Sequence, residues 1–246
     1  MKIFLHIGDG RTGTTTLQSL ITKNREKIRA FGIDYPTIGF LGSGAGTAQH
    51  ALAFSLMNEW PKFAESARVS RDVIWGALGQ YMQEADLGEA NMLLSSEGFC
   101  TLDDEGISFI REFFASHEVV PVFVYRDAES WRASMREHRI KRGQHVPEPS
   151  GQARDLGAEK IARWSKVFDL EVIPYSSTCS QDVLAFLGID ESELEAVERQ
   201  NSQFPKHLLD LLNSLNSLPL NEGNRPILNR KILKWSKENC GPMSQT

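Results

Sequence analysis

The first seventeen residues constrain the fold more than any other stretch of the chain. Residues 2–7, Lys-Ile-Phe-Leu-His-Ile, form a short apolar run that stops at Gly8. A turn of glycines and threonines follows, after which Leu17, Leu20, Ile21, Ile28 and Phe31 recur at helical spacing. An apolar strand, a glycine loop and a helix, in that order, open a parallel α/β unit. Strands of such sheets are buried on both faces and therefore read as unbroken apolar runs. The loop then lies at the carboxyl end of its strand, where open α/β sheets bind ligands.

The rest of the chain repeats the alternation. Residues 91–95, 119–125 and 171–174 read as further strands, and 48–59, 71–84, 104–115, 129–142, 158–168 and 182–187 as helices. A leucine face at 208, 211, 212 and 215 predicts one more helix over 206–218. The expected fold is α/β, a parallel sheet of the phosphate-loop type with helices on both faces. At 246 residues, with no repeat and no composition break, one domain over 1–246 is expected.

Charge and cysteine usage narrow the function. A net charge of −5 argues against broad nucleic-acid or membrane-surface binding, so any anion site must be built locally. Cys100, Cys179 and Cys240 are widely spaced, without a CxxC pair, which predicts neither a disulfide framework nor a metal site. The apolar run at the N-terminus is too short for a signal peptide, and 119–125 is too short to span a bilayer. A soluble, cytoplasmic protein is expected. Oligomeric state is not written in the sequence.

The loop itself reads Gly8-Asp9-Gly10-Arg11-Thr12-Gly13-Thr14-Thr15-Thr16. Its Gly-x4-Gly spacing is that of a phosphate-binding loop, in which backbone N–H groups and the positive end of the next helix face an anion. Arg11 adds a full charge, and Thr14, Thr15 and Thr16 add hydroxyl donors. A magnesium-dependent nucleotide hydrolase needs a loop lysine and an aspartate ending a second strand. Here the lysine position holds Thr14, and the second strand ends Ser95-Ser96-Glu97. Sulfuryl transfer fits better, because the smaller charge of that group can be handled by fixed cations and amides.

The segment from His6 to Gln18 resembles the 5′-phosphosulfate loop of sulfotransferases that use 3′-phosphoadenosine 5′-phosphosulfate, usually written Lys-Thr/Ser-Gly-Thr-Thr. The likeness points to the bacterial carbohydrate branch of that family. It implies that 3′-phosphoadenosine 5′-phosphosulfate is the donor, that the 3′,5′-bisphosphate is the product, and that no metal takes part. It also implies that Gly10, Arg11, Thr12, Gly13, Thr14, Thr15 and Thr16 hold the donor, with Arg11 standing where the family has lysine. Arginine keeps the charge but is an ineffective proton donor. The likeness extends to Arg126 and Ser134, eight residues apart, which in such enzymes bind the 3′-phosphate. An arginine fork and a hydroxyl two helical turns on match phosphate geometry, each contact contributing roughly 1.5–3 kcal/mol.

An acceptor hydroxyl must lose its proton as it attacks, so a histidine or carboxylate near the sulfur is expected. His50 and Glu97 both resemble residues of the carbohydrate branch, and either can be the base. His6 reads as a packed core histidine. Two other readings stand beside this one: a phosphate-loop kinase or hydrolase, and a non-catalytic nucleotide-binding relative. The acceptor can be a carbohydrate, a glycolipid or a small metabolite, since the 36–47 and 143–157 loops carry no readable code.

Overall fold

Strand β1 (Lys2–His6) alternates between two apolar layers: Ile3 and Leu5 enter one, Phe4 the other. This period of two is what a strand covered on both faces requires. It is seen in a computed structural model that describes residues 1–41, 46–84, 90–197, 205–218 and 225–239. Cys240 lies outside the described residues, as does part of the 36–47 loop.

After β1 come α1 (Thr14–Lys23) and α2 (Arg25–Ala30), where the periodicity predicted one helix. Asn24 makes the break: its amide Nδ2 donates to the carbonyls of Leu20 and Glu195, both at 2.9 Å, and its Oδ1 accepts from the Glu195 amide at 2.7 Å. Strand β2 (Ile33–Asp34) is two residues long, too short for any pattern to announce. Helix α3 (His50–Phe54) ends well before the expected residue 59. The Leu52 carbonyl accepts from Ser55 Oγ at 2.8 Å and from the Trp75 indole at 3.2 Å, and these donors compete with helix continuation. A 3₁₀ segment (Lys62–Ala67) leads to α4 (Arg71–Glu84), β3 (Asn91–Ser95), α5 (Asp104–Phe113) and β4 (Glu118–Tyr125). Then follow α6 (Ala128–Lys141), α7 (Leu156–Trp164), β5 (Glu171–Pro174), α8 (Cys179–Phe186), α9 (Lys206–Asn216) and α10 (Arg225–Asn239). The sequence had not announced α10.

The described residues divide into two compact units, Met1–Asp127 with Asp155–Gln200, and Ala128–Arg154 with Asn201–Thr246. The first holds a five-stranded sheet of order β2-β3-β1-β4-β5, with every pair parallel. Helices α3, α4, α5 and α7 pack on the face carrying Ile3, Leu5, Met92, Leu94 and Phe123. Helices α1, α2 and α8 pack on the face carrying Phe4, Leu93, Val122, Val124 and Ile173. The fold is the expected α/β sheet with helices on both faces. The chain leaves central β1 toward β2 and β3, then crosses to β4 and β5. That reversal puts a crevice beyond the carboxyl ends of β1 and β3.

The second unit is built from α6, α9 and α10 around Ile140, Val146, Leu208 and Leu212. Leu211 is half exposed, so the leucine face of α9 is narrower than the spacing suggested. Two buried asparagines, Asn216 and Asn229, both donate to the Ile140 carbonyl at 2.9 Å, which satisfies the end of α6. The cations of α6 do not form an open basic face. Arg132, Arg136 and Lys141 pair with Glu129, Glu148 and Glu137 of the same unit. No described helix is long and apolar enough to cross a membrane.

Candidate active site

The loop after β1 is held from three directions. Gly13, at φ 83°, turns the chain into α1 and offers no side-chain cap. The first amides of that helix therefore depend on a ligand or solvent for hydrogen bonds. Arg11 also has a left-handed backbone, at φ 74°. For a non-glycine residue this costs about 1–2 kcal/mol and persists only where the surroundings impose it. Here Arg126 Nη1, from the end of β4, donates to the Arg11 carbonyl at 2.7 Å. Lys160 of α7 pairs with Asp9 at 2.5 Å, and Cys179 of α8 donates to the Thr12 carbonyl at 3.3 Å. The Thr12 hydroxyl donates to the Asp9 carbonyl at 2.5 Å.

Beside this loop, the turn Ser95-Ser96-Glu97 at the end of β3 gathers a polar cluster. The Thr14 hydroxyl donates to Glu97 Oε1, and Gln18 Nε2 donates to Glu97 Oε2 at 3.3 Å and to Ser95 Oγ at 3.1 Å. His6 Nδ1 lies 2.7 Å from Ser95 Oγ, while its buried Nε2 has no hydrogen-bond partner and faces Gly8. A side chain at Gly8 would start 2.7 Å from that nitrogen, so only glycine fits there. His50 reaches the cluster because the preceding Gln49, fully buried, pairs with the end of β3. Its backbone N–H donates to the Ser95 carbonyl at 2.9 Å and its Oε1 accepts from the Ser95 amide at 2.8 Å. His50 Nδ1 then sits 2.8 Å from Ser96 Oγ, and Nε2 sits 3.7 Å from Glu97 Oε2.

Burial and charge set opposite states on the two groups. Burial lowers the His50 pKa below the ordinary imidazole value, outweighing the pull of Glu97 in the other direction. Burial alone would raise Glu97. The Thr14 hydroxyl, the charge of His50 and the Gln18 amide outweigh it and leave the carboxyl below its usual value. At neutral pH the pair is a neutral imidazole beside a carboxylate. His6 is pushed down to about 4, chiefly by burial, and is neutral as well. Burial pushes the Cys100 thiol up to about 12, with Asp9 adding to it, so this cysteine is no nucleophile.

The structure thus gathers Arg11, Thr12, Gly13, Thr14, His50, Glu97 and Arg126 around the carboxyl ends of β1, β3 and β4. Thr15 is exposed and Thr16 half-buried, whereas the Thr14 hydroxyl is directed at Glu97 rather than outward. A side chain at Gly10 would meet open space, so nothing in the fold demands glycine there. Arg126 is buried with its guanidinium 4.2 Å from the centre of the Tyr175 ring. Ser134 is a buried residue of α6, in the second unit. Sequence reasoning missed Asp9, Gln18, Gln49, Lys160 and Tyr175. Gln18 sits one turn behind Thr14 and could have been found by that spacing, while Lys160 lies 151 residues from Asp9 and left no signal.

No protein-family model matches the chain, and no curated protein matches it. Among solved structures, the chain is similar to a sulfotransferase from Alicyclobacillus acidocaldarius, at 15% identity and a TM-score of 0.44, over 92% of this chain and 95% of that one.

Proposed function

We propose that this chain is a sulfotransferase that moves a sulfuryl group from 3′-phosphoadenosine 5′-phosphosulfate to a hydroxyl or amine of a carbohydrate, glycolipid or small-molecule acceptor. One observation supports the reading: Glu97 lies between a neutral imidazole, with His50 Nε2 3.7 Å from its Oε2, and Thr14, the first residue of the helix behind the phosphate loop, whose hydroxyl donates to its Oε1. A base and an anion cradle so joined suit an in-line displacement, in which proton acceptor and leaving group must be held together. The residues fit the donor. The uncapped start of α1 and the Arg11 charge suit the 5′-phosphosulfate, and Arg126 stands at the loop with a fork of donors. Arg126 is the proposed ligand of the 3′-phosphate.

The step balances as follows. The acceptor oxygen or nitrogen attacks sulfur, a new bond to sulfur forms, and the bond from sulfur to the bridging phosphate oxygen breaks. The electron pair stays on that oxygen, where Arg11 and the loop amides stabilise it. The acceptor proton passes to His50. In the tautomer this step requires, Nδ1–H donates to Ser96 and the lone pair is on Nε2, and the Glu97 carboxylate then stabilises the imidazolium. Glu97, held ionised by two donors, is the weaker base of the two.

Calorimetry with the 3′,5′-bisphosphate, ADP and ATP with magnesium tests this reading directly. Tighter binding of the 3′-phosphorylated nucleotide than of ADP is expected, by roughly 10-fold or more if the 3′-phosphate makes even one charge-assisted contact. Tighter binding of ATP with magnesium would replace this reading by a kinase.

A further inference from the structure

The rings beside His50 carry an inference about the acceptor, resting on the sulfotransferase reading above. Phe54 lies stacked on the His50 ring, with centroids 5.4 Å apart and planes at 6°. It is buried, and a side chain on Gly98 would come within 2.8 Å of its Cε1, so glycine lets the ring lie against the turn that carries Glu97. Two further rings meet Phe54 edge-on, Trp60 at 5.8 Å and Phe63 at 5.9 Å. Trp60 is buried, but Phe63 is 80% exposed. A lone exposed phenylalanine signifies little. This one is the solvent end of a continuous aromatic cluster whose other end is the imidazole next to Glu97.

We propose that Phe63, seated on Phe54, is the acceptor platform, and that it selects acceptors whose hydroxyl sits on a flat ring with an apolar face. An aryl ring and the C–H face of a sugar both have that chemistry. Stacking would hold the ring while its hydroxyl, two ring contacts away, reaches His50. The oxygen then bonds to sulfur, its proton goes to His50, and the bisphosphate departs with the electron pair of the broken bond. Phe63 is a specificity residue and takes no part in that step. Phe54, itself packed against Trp60, fixes its position.

The test uses the full chain with 3′-phosphoadenosine 5′-phosphosulfate and three acceptors: 2-naphthol, methyl β-glucoside and the flexible 1-octanol. The readout is bisphosphate released, beside calorimetric Kd values for the bisphosphate. At least one ring acceptor should be used at a lower KM than octanol, and the preferred one reveals which source the platform fits. Phe63→Ala should raise the KM of the ring acceptor by about three- to tenfold, the range for losing an aromatic contact, with the bisphosphate Kd unchanged. Phe63→Trp should restore it. Binding of 2-naphthol and of methyl β-glucoside to the bisphosphate-loaded protein gives the same comparison without turnover. An unchanged ring-acceptor KM or Kd in Phe63→Ala, or binding of neither ring ligand, overturns the platform. Failure of the wild-type chain to bind the bisphosphate, with ring ligands still bound through Phe63, overturns the sulfotransferase reading alone.

Discussion

The loop at 8–13 and the cluster of His50, Glu97 and Phe54 beside it are made in different ways. The loop, the donor side of the proposed reaction, is backbone: two left-handed residues, an uncapped helix start and carbonyls tied down by Arg126 and Cys179. The cluster on the proposed acceptor side is side chain: an imidazole, a carboxylate and stacked rings, placed by Gln49 and Gly98. The difference has a chemical reason. Every phosphosulfate donor presents the same oxygens, which peptide N–H groups can match once and keep. Acceptors vary, and side chains can change without disturbing the strand ends that carry them.

The largest test of that division is Arg11→Gly. Glycine is at ease at φ 74°, so the substitution keeps the loop path and removes the charge. Turnover should fall by about 10²–10³, the range for losing one electrostatic stabiliser of a transition state. Thermal stability should hold or rise, since up to about 1–2 kcal/mol of backbone strain is relieved. The bisphosphate Kd should change much less than kcat. Should donor affinity collapse together with turnover, the donor side would be side-chain work after all, and the contrast between the two sides would fail.

The same division explains what the sequence made legible. Apolar runs followed by Gly-x4-Gly and a helix mark the donor side because backbone geometry leaves a spacing. Strands β1, β3, β4 and β5 were readable as apolar runs for the same local reason. His50 and Glu97 were visible singly, but their approach depends on Gln49 pairing with Ser95, 46 residues on, which no local pattern encodes. The Asp9–Lys160 pair is equally silent, as is the break at Asn24, set by a carbonyl 171 residues away. The second unit showed α6 and the leucine pattern of α9 but not α10, since its core joins α6 to helices far along the chain.

His6 lies beneath both sides, and its titration gauges how tightly they are sealed together. Its folded-state pKa near 4 stands below the ordinary 6.5, so the unfolded chain takes the proton first. The stability contributed by its neutral state is fully present above about pH 6.5 and is lost as pH falls toward 4. The loss amounts to something on the order of 3 kcal/mol. Urea unfolding midpoints at pH 7, 5.5 and 4.5 should fall in that order. His6→Asn, which keeps a polar atom toward Ser95, should flatten the trend without erasing it, because His50 and His117 are also lowered. A wild-type protein equally stable at pH 7 and 4.5 would mean that water reaches His6 and that the floor of the crevice is open.

The smallest effect is expected at the link itself. If His50 is the base, kcat/KM falls with acid through the pKa of the free-enzyme imidazole, so its acid limb should lie below pH 6.5. Glu97 pulls that pKa upward, against burial. Glu97→Gln keeps the shape and a hydrogen-bonding oxygen for Thr14 while removing the charge. The acid limb should therefore move to lower pH, and kcat should drop because the imidazolium formed during transfer has lost its counter-charge. A limb that disappears in Glu97→Gln would exchange the roles, with Glu97 as the base. A limb that stays where it is would mean that the carboxylate does not act on His50 at all. In that case the two sides of the crevice share a wall but no electrostatic connection.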